Sequence, residues 1–161
     1  MRKLRAFLSA VLLGGCGLMP FTTQRTVSNA AGDTYSGAYK YDTANGEGTL
    51  KFADGVEYSG GFRDGKATGA GTVVFPDGAK FTGGWDHGAA SGEGTMTYAN
   101  KDKYTGAWLH GKFHGRGVFL MADGSVYDGE FEHGLYHGEG TLINADGTKA
   151  TGDWHHGQLG H

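Results

Sequence analysis

The eight histidines have the clearest potential for metal chemistry in this sequence. Six of them fall into two columns that recur every 23 residues: His87, His110, His133 and His156 in one, and His114 and His137 in the other. If each repeat is a hairpin, equivalent residues lie two strands, about 9–10 Å, apart. Zinc ligands bond at about 2.0–2.1 Å, so they must be closer together than that. Pairs within one loop lack a Cys or an obvious carboxylate. We predict polar turn residues and no metal site, with a weak metal site or a pH-sensing role as alternatives.

Serine and glutamate side chains could supply nucleophilic or acid–base catalysis, which requires a nucleophile, a base and an orienting acid held together. The serines of the repeats have no nucleophile-elbow motif around them: Ser36, Ser59, Ser91 and Ser125. The glutamates recur at solvated strand positions: Glu47, Glu93 and Glu139. No helical pattern follows the G-x-G pairs, so they are not phosphate loops. We predict a protein that is not an enzyme and has no cofactor.

A stripe of large rings is the best candidate for a binding site. One aromatic residue occupies the same position of every repeat: Tyr39, Phe62, Trp85, Trp108, Phe131 and Trp154. Packing of these rings over glycine is one interpretation. The other is an exposed groove for a peptide, a glycan or acyl chains, because a single-layer sheet has no second layer to cover the stripe.

Cys16 is the only cysteine, so the chain forms no internal disulfide. It follows a basic start with Arg2, Lys3 and Arg5, an apolar run over 6–13, and two glycines. That layout is typical of a secretory signal, and the run is too short for a helix that spans a bilayer, which needs about 20 apolar residues. Leu13-Gly14-Gly15-Cys16 resembles the bacterial lipobox, which implies a lipidated Cys at the mature N-terminus. The alternatives are an ordinary cleaved signal with an incidental Cys, or an uncleaved membrane-associated N-terminus.

Composition excludes several classes of protein. Of 161 residues, 32 are Gly, which disfavours helices, and the 2 Pro and the lack of a Gly-X-Y period exclude collagen. The 9 Phe, 8 Tyr and 3 Trp argue against disorder. A formal net charge of −3 without a basic patch argues against a nucleic-acid partner.

Most of the glycines belong to a repeat of 23 residues without insertions. Each unit opens with an aromatic residue, then has Gly two positions on and a G-x-G pair later, and closes with a turn, as in Tyr35, Gly37, Gly46, Gly48 and Asp54-Gly55. Apolar and Gly positions alternate with polar ones, which predicts strands. Asp-Gly between such runs predicts hairpins. We predict strands near 35–40 and 46–52 in the first unit and about eleven strands in all, joined as a meander.

The pattern Y-x-G-x-[WF]-x-x-G-x-x-x-G-x-G with an Asp-Gly turn resembles the MORN repeat (membrane occupation and recognition nexus). The resemblance covers 35–161. It implies an all-β, elongated, single-layer antiparallel meander of stacked hairpins, which acts as a scaffold, dimerisation module or membrane-associated adaptor without catalytic residues. The departures are Asp42 for Gly, Asn100-Lys101 for Asp-Gly, Met121 and Asn144 for an aromatic residue, and a truncated sixth unit.

These features divide the chain into three parts. They are a signal peptide over 1–15, a lipidated Cys with a flexible tether over 16–34, and the repeat domain over 35–161. The repeat units are 35–57, 58–80, 81–103, 104–126, 127–149 and a partial unit over 150–161. Gly17 instead of Asp after Cys16 implies sorting to the outer membrane if the host is Gram-negative.

We therefore interpret the chain as an exported, non-catalytic lipoprotein of the bacterial cell envelope, anchored through Cys16 and acting as a scaffold for an unidentified envelope protein. A glycan or lipid binder that uses the aromatic stripe is the alternative, and a His-dependent metal protein is the third. The strand around Thr151–Trp154 is expected to be an unpaired sheet edge. That edge forms a homodimer or is a frayed end.

Overall fold

The computed structural model describes residues 22–160, which form one open antiparallel sheet of thirteen strands and no helix. No helix in this part of the chain is long and apolar enough to cross a membrane. Each strand is hydrogen-bonded to the strands before and after it in sequence, so the sheet is a simple meander. The strands are β1 Thr23–Ser28, β2 Thr34–Lys40, β3 Thr43–Lys51, β4 Glu57–Arg63, β5 Lys66–Val74, β6 Lys80–Asp86, β7 Ala89–Thr97, β8 Lys103–Leu109, β9 Lys112–Leu120, β10 Val126–Glu132, β11 Leu135–Ile143, β12 Lys149–His155 and β13 Gln158–Leu159.

The predicted all-β meander of stacked hairpins is confirmed, with two strands more than expected. The additional strands are β1 and β13, at the two ends of the sheet. β1 lies within the segment predicted as a flexible tether, 16–34. There Thr26 Oγ1 and Ser36 Oγ are 3.0 Å apart, and Val27 pairs with Tyr35. Residues 23–28 have no apolar periodicity of their own, and they form a strand because they pair with the edge of the first repeat.

The two strands of each hairpin are joined by a two-residue turn. In the first unit this turn is Tyr41-Asp42, whose φ angles are 50° and 58°. Two successive residues with positive φ are the signature of a type I′ turn, which matches the twist of the flanking strands. β3 accordingly begins at Thr43 instead of near 46. Asp42, the departure from Gly at this column, is held by Arg25 Nη1 at 2.7 Å from Oδ1.

The Asp-Gly pairs lie in the longer connections between units. After β3, Phe52 N donates to the Val56 carbonyl at 2.8 Å and Gly55 N donates to the Phe52 carbonyl at 2.9 Å. At the departure in the third unit, Lys101 takes the left-handed conformation with φ 75° and its N–H donates to the Tyr98 carbonyl at 2.9 Å. The turn is therefore conserved in shape although its residues change.

A bulge interrupts every hairpin at the same place. Between β2 and β3, Gly37 pairs with Gly48 and Tyr39 pairs with Ala44, so β3 contains more residues than β2 over this stretch. The shift recurs in all five units. Bulges release backbone groups from the ladder and bend the strand. Here they free backbone carbonyls that accept hydrogen bonds from the hydroxyls of the buried tyrosines.

The edge at the last repeat is only partly open. β13 pairs with Trp154 and His155, and Gly160 N donates to the Asp153 carbonyl at 2.7 Å. The expectation of an unpaired strand over Thr151–Trp154 is therefore wrong for Trp154. Within residues 22–160, no strand pairs with 149–152 on the side away from β11.

Candidate functional site

One face of the sheet is filled by interlocked aromatic rings. Each opening aromatic residue contacts the ring four residues on in its own unit and the equivalent ring of the next unit. The ring of Tyr58, for example, is 5.1 Å from Phe62 and 5.0 Å from Trp85, with interplanar angles of 88° and 81°. Edge-to-face contacts of this kind are favourable for aromatic pairs. The series continues from Tyr35 to Trp154 and ties neighbouring units together.

Glycine pairs create the space for these rings. A Cβ added at Gly71 would lie 2.5 Å from the Tyr58 hydroxyl oxygen and 2.7 Å from its ring. The ring thus lies flat on the backbone of the next strand. Its hydroxyl donates to the Gly61 carbonyl at 3.0 Å, one of the groups next to the bulge.

Burial changes the acidity of these tyrosines. Desolvation raises the pKa of Tyr35 and Tyr127 to about 12. The pKa of Tyr58 and that of Tyr104 are also raised by burial. The hydroxyls are therefore neutral donors over the physiological range. They stabilise the fold and are not candidates for proton transfer.

The candidate binding stripe lies inside this cluster. Its six side chains are between 3% and 6% exposed: Tyr39, Phe62, Trp85, Trp108, Phe131 and Trp154. Two of the indoles also donate to backbone carbonyls, Trp108 to Gly94 at 3.2 Å and Trp154 to Gly140 at 3.1 Å. The interpretation of the stripe as an exposed groove is contradicted by this burial. The opening aromatic residues cover the stripe although the sheet has one layer.

A second set of rings builds up over the last repeats. The second residue of the strand that follows the hairpin turn is a buried alanine in each of the first three units: Ala44, Ala67 and Ala90. The same column holds Phe113 and Tyr136, which stack on Tyr104 and Tyr127 at 3.8 Å and 3.7 Å. The predicted site residues do not include this column. The change from Ala to an aromatic residue at the 23-residue interval would have revealed it.

This second set borders a partly open apolar depression of about 250 Å³. Phe113, Phe119 and Tyr136 line it, together with Leu135, which is 47% exposed. In the equivalent position of the preceding unit the residue is Lys112. The depression is therefore a feature of the last repeats and not of the repeat in general.

The other face of the sheet is polar. Hydroxyl pairs bridge the strands where one unit meets the next, as between Thr72 and Thr82 at 3.1 Å and between Thr95 and Thr105 at 3.2 Å. The row is interrupted by Val118 and Asp128, which pair between β9 and β10. Beyond that point the face becomes charged. A groove of about 730 Å³ is lined there by Arg116, Asp128, Glu130, Glu139 and Asp153, with Gly138, Gly140, Thr141, Thr151 and Gly152.

The residues considered for catalysis are dispersed. Ser36 and Ser59 belong to the hydroxyl row, where their oxygens lie 3.0 Å and 3.1 Å from Thr26 and Thr49. The Ser125 hydroxyl is buried and accepts a hydrogen bond from Ala145 N at 3.0 Å. Each of these serines has a structural contact.

The histidines of the turn column adopt positive φ angles: His87, His110, His133 and His156. His87 Nδ1 lies 2.7 Å from Asp86 Oδ1. Within residues 22–160, no group of three or more His, Cys, Asp or Glu side chains is arranged so that it could hold a metal ion as it stands. Cys16 and the segment predicted to be a signal peptide, 1–15, lie outside the described residues.

Comparison with known proteins identifies the repeat. The MORN repeat family model matches five successive segments, 35–57, 58–80, 81–103, 104–126 and 127–149. No curated protein matches the chain. Among solved structures, one similar chain is the SAS-4 (dCPAP) TCP domain in complex with a Proline Rich Motif of Ana2 (dSTIL) of Drosophila Melanogaster. It is 13% identical, with 86% of this chain and 97% of that chain covered and a TM-score of 0.34.

Proposed function

Because this chain belongs to the MORN repeat family, we propose that it is a non-catalytic scaffold of the bacterial cell envelope that binds another protein while tethered to a membrane. MORN repeats suggest a membrane- or protein-interaction module. The observation that best supports protein binding is the departure of the last repeats from the regular pattern. There Phe119 and Tyr136 pack against the aromatic core and are only partly buried, and Leu135 is exposed, so apolar surface remains open to solvent.

This surface suits a protein partner because its lining is apolar and aromatic and part of it is open to solvent. Exposed apolar patches of this kind are common at protein interfaces. The aromatic stripe itself is covered, so a glycan stacked on Trp108 or Trp85 is not favoured.

A photoreactive residue placed at position 135 tests the protein partner. Leu135→p-benzoylphenylalanine is expected to give one defined adduct with an envelope protein on irradiation of whole cells. The matched control is the same replacement at Val74, which is 41% exposed on the polar face and far from the depression. Identical adducts from both sites, or none from position 135, would reject this surface as the scaffold's contact.

Membrane attachment is proposed to depend on lipid bound to Cys16. The leader provides the only thiol, directly behind an apolar run and two small residues. The attached acyl chains, each contributing about 0.8 kcal/mol per buried CH₂, would hold the protein at the membrane. The proposed location is the outer membrane if the host is Gram-negative.

Replacing Cys16 by Ser should abolish this attachment. We expect the Cys16→Ser protein to accumulate as an unlipidated or uncleaved precursor that no longer partitions into the detergent phase. Labelling with a radioactive fatty acid provides the second measurement, and Ser9→Ala within the apolar run is the control. Unchanged partitioning of the Cys16→Ser protein would contradict the lipoprotein proposal.

The open part of the last long strand, 149–152, is proposed to pair with a second copy of the chain. An exposed strand edge offers free N–H and C=O groups, and antiparallel self-pairing gives a twofold dimer. Asp153 gives this edge little protection against pairing.

We expect light scattering to show a dimer at micromolar concentration and a monomer after Thr151→Pro, because proline removes a ladder donor at an edge. The control is Ala30→Pro in the β1–β2 connection. A proline inside an interior strand, such as Thr82→Pro in β6, would disrupt the sheet itself and is therefore unsuitable as a control. A monomeric parent protein, or a dimer of Thr151→Pro, would overturn self-pairing at this edge.

A further inference from the structure

An aliphatic patch lies on the polar face of the sheet in its last repeats. Leu120 pairs with Val126 on the next strand, and Val126 pairs in turn with Ile143. Val118 lies two residues before Leu120, on the same face of β9. Val118 and Leu120 are 40% and 42% exposed, and Val126 and Ile143 are half-buried. These four side chains therefore offer adjoining apolar surface to solvent, on the side of the sheet away from the aromatic core.

The regular repeat places other residues at these positions. The equivalents of Val118 in the first three units are threonines, and those of Val126 in the second to fourth units are charged: Thr49, Thr72, Thr95, Glu57, Lys80 and Lys103. Val74, in the second unit, lies between Glu57 and Lys80 on the neighbouring strands. The aliphatic patch is thus specific to the last repeats. Exposed apolar patches that the core does not need are typical of interaction sites.

Carboxylates adjoin the patch along the same strands. Four of them line the groove of about 730 Å³, together with one guanidinium: Asp128, Glu130, Glu139, Asp153 and Arg116. Glu139 and Asp153 pair directly across β11 and β12, where like charges destabilise a sheet. Among residues 22–160, Asp153 alone of the four lies within ion-pair distance of a basic group, His155 Nε2 at 3.3 Å. Most of the negative charge of the groove is therefore uncompensated.

We infer that this surface binds a basic amphipathic helix of another protein. The apolar side of the helix packs on the aliphatic patch, and its lysines or arginines contact the carboxylates of the groove. A cation between Glu139 and Asp153 removes their mutual repulsion, and complementary charge fixes the orientation of the partner. The surface is on the polar face, whereas core rings border the depression next to Leu135. It is therefore a second contact, beyond the one proposed above.

The distance between the patch and the carboxylates matches the width of a helix. Ile143 and Glu139 are four residues apart on β11, which is about 13 Å. An α-helix with its side chains is about 10–12 Å across. Strands β9 to β12 span three inter-strand spacings, about 14 Å, which equals the length of about ten helical residues. A helix of about three turns that crosses these strands thus covers both features.

The backbone of the sheet favours a helix over an extended segment. Strands β9, β10 and β11 are paired on both sides, so their backbone groups are largely engaged within the sheet. An extended segment on this face would lack partners for its own N–H and C=O groups, whereas a helix pairs them internally. Neighbouring side chains on one face of a helix are about 5–6 Å apart, close to the inter-strand spacing of about 4.8 Å. A helical apolar stripe can therefore follow the row Leu120, Val126 and Ile143.

Fluorescence anisotropy with a labelled synthetic peptide tests this docking surface. The peptide has about 14 residues of Leu, Ala and Lys, with leucines in a helical stripe and lysines along one side of it. It is titrated with the full-length protein carrying Cys16→Ser, so that neither lipid nor detergent competes for the peptide. We expect saturable binding with a micromolar dissociation constant. A peptide of the same composition whose leucines form no stripe should bind roughly tenfold more weakly.

Two pairs of variants separate this surface from general charge effects. Leu120→Ser and Glu139→Gln should each weaken binding of the striped peptide roughly fivefold or more. Their controls, Val74→Ser and Glu93→Gln, change the same columns in earlier units and should bind as the parent does. Glu93 pairs with Ala107 and not with a carboxylate. Glu139→Gln should also leave the Tm equal or higher, because it removes a like-charge pair.

Three results would overturn the docking surface. The first is a lack of saturable peptide binding, and the second is an equal effect of Glu93→Gln and Glu139→Gln. The third is unchanged affinity in Leu120→Ser, which would indicate a site for small cations instead of a helix. The four replaced side chains are exposed, so the aromatic core stays intact, and circular dichroism checks the fold of each variant. An adduct at position 135 does not depend on peptide binding, so the two proposals fail independently.

Discussion

Trp108→Ala should lower the free energy of unfolding by about 3–5 kcal/mol, the range for loss of a large buried aromatic side chain. Trp108 is 4% exposed and lies at the centre of the array. Its ring is 4.7 Å from that of Phe81 and 4.9 Å from that of Phe113. The replacement also leaves the Gly94 carbonyl without the indole N–H that it accepts at 3.2 Å.

Urea unfolding followed by circular dichroism measures this loss. Leu109→Ala is the matched control, because the neighbouring side chain is 40% exposed and surface changes usually cost within about 0.5 kcal/mol. Because each unit packs mainly on its neighbours, the slope of the transition also shows whether the array still unfolds as one unit. A small loss of stability with loss of partner binding would instead indicate that the ring is part of an open binding surface.

Gly117→Ala should destabilise the sheet by about 3 kcal/mol, at the upper end for an overpacked core. An added Cβ would lie 2.5 Å from the Tyr104 hydroxyl oxygen and 2.6 Å from the nearest ring carbon. The ring of Tyr104 cannot move away, because it is fully buried and stacked on Phe113 at 3.8 Å. One methyl group is therefore enough to disturb the contact between two units.

Two further variants separate the clash from other effects. Gly124→Ala introduces the same methyl group where nothing lies within 4 Å, but at a φ of 93°. It should cost only the backbone term, about 1–2 kcal/mol. In a double-mutant cycle, Gly117→Ala should cost much less in a Tyr104→Ala background than in the parent. Additive effects would show that the ring does not rest on Gly117.

The sequence determined the repeating part of this fold. The 23-residue period and the alternation of apolar and polar positions specify hairpins, since a slip of one residue would turn every side chain to the opposite face. The columns of glycine and aromatic residues also predicted that rings lie over glycine. They left open whether the stripe from Tyr39 to Trp154 is covered.

The tertiary structure decided that question through the opening aromatic residues. Tyr58 lies flat on Gly71 and between Phe62 and Trp85, so each opening ring covers two members of the stripe. The direction in which a side chain leans along its strand depends on the space left by neighbouring strands. A single sequence read repeat by repeat does not contain that information.

The ends of the sheet and the contact between two histidines of different columns also required the structure. β1 is ordered by pairing with β2 and not by any pattern in its own residues. His137 meets His155 because strand pairing joins positions 18 residues apart, which the 23-residue columns separate. The sequence thus determined what recurs in every unit, because burial and local turn geometry are the same each time. Contacts between unlike columns were decided only by the register of neighbouring strands, which the bulge in each hairpin shifts.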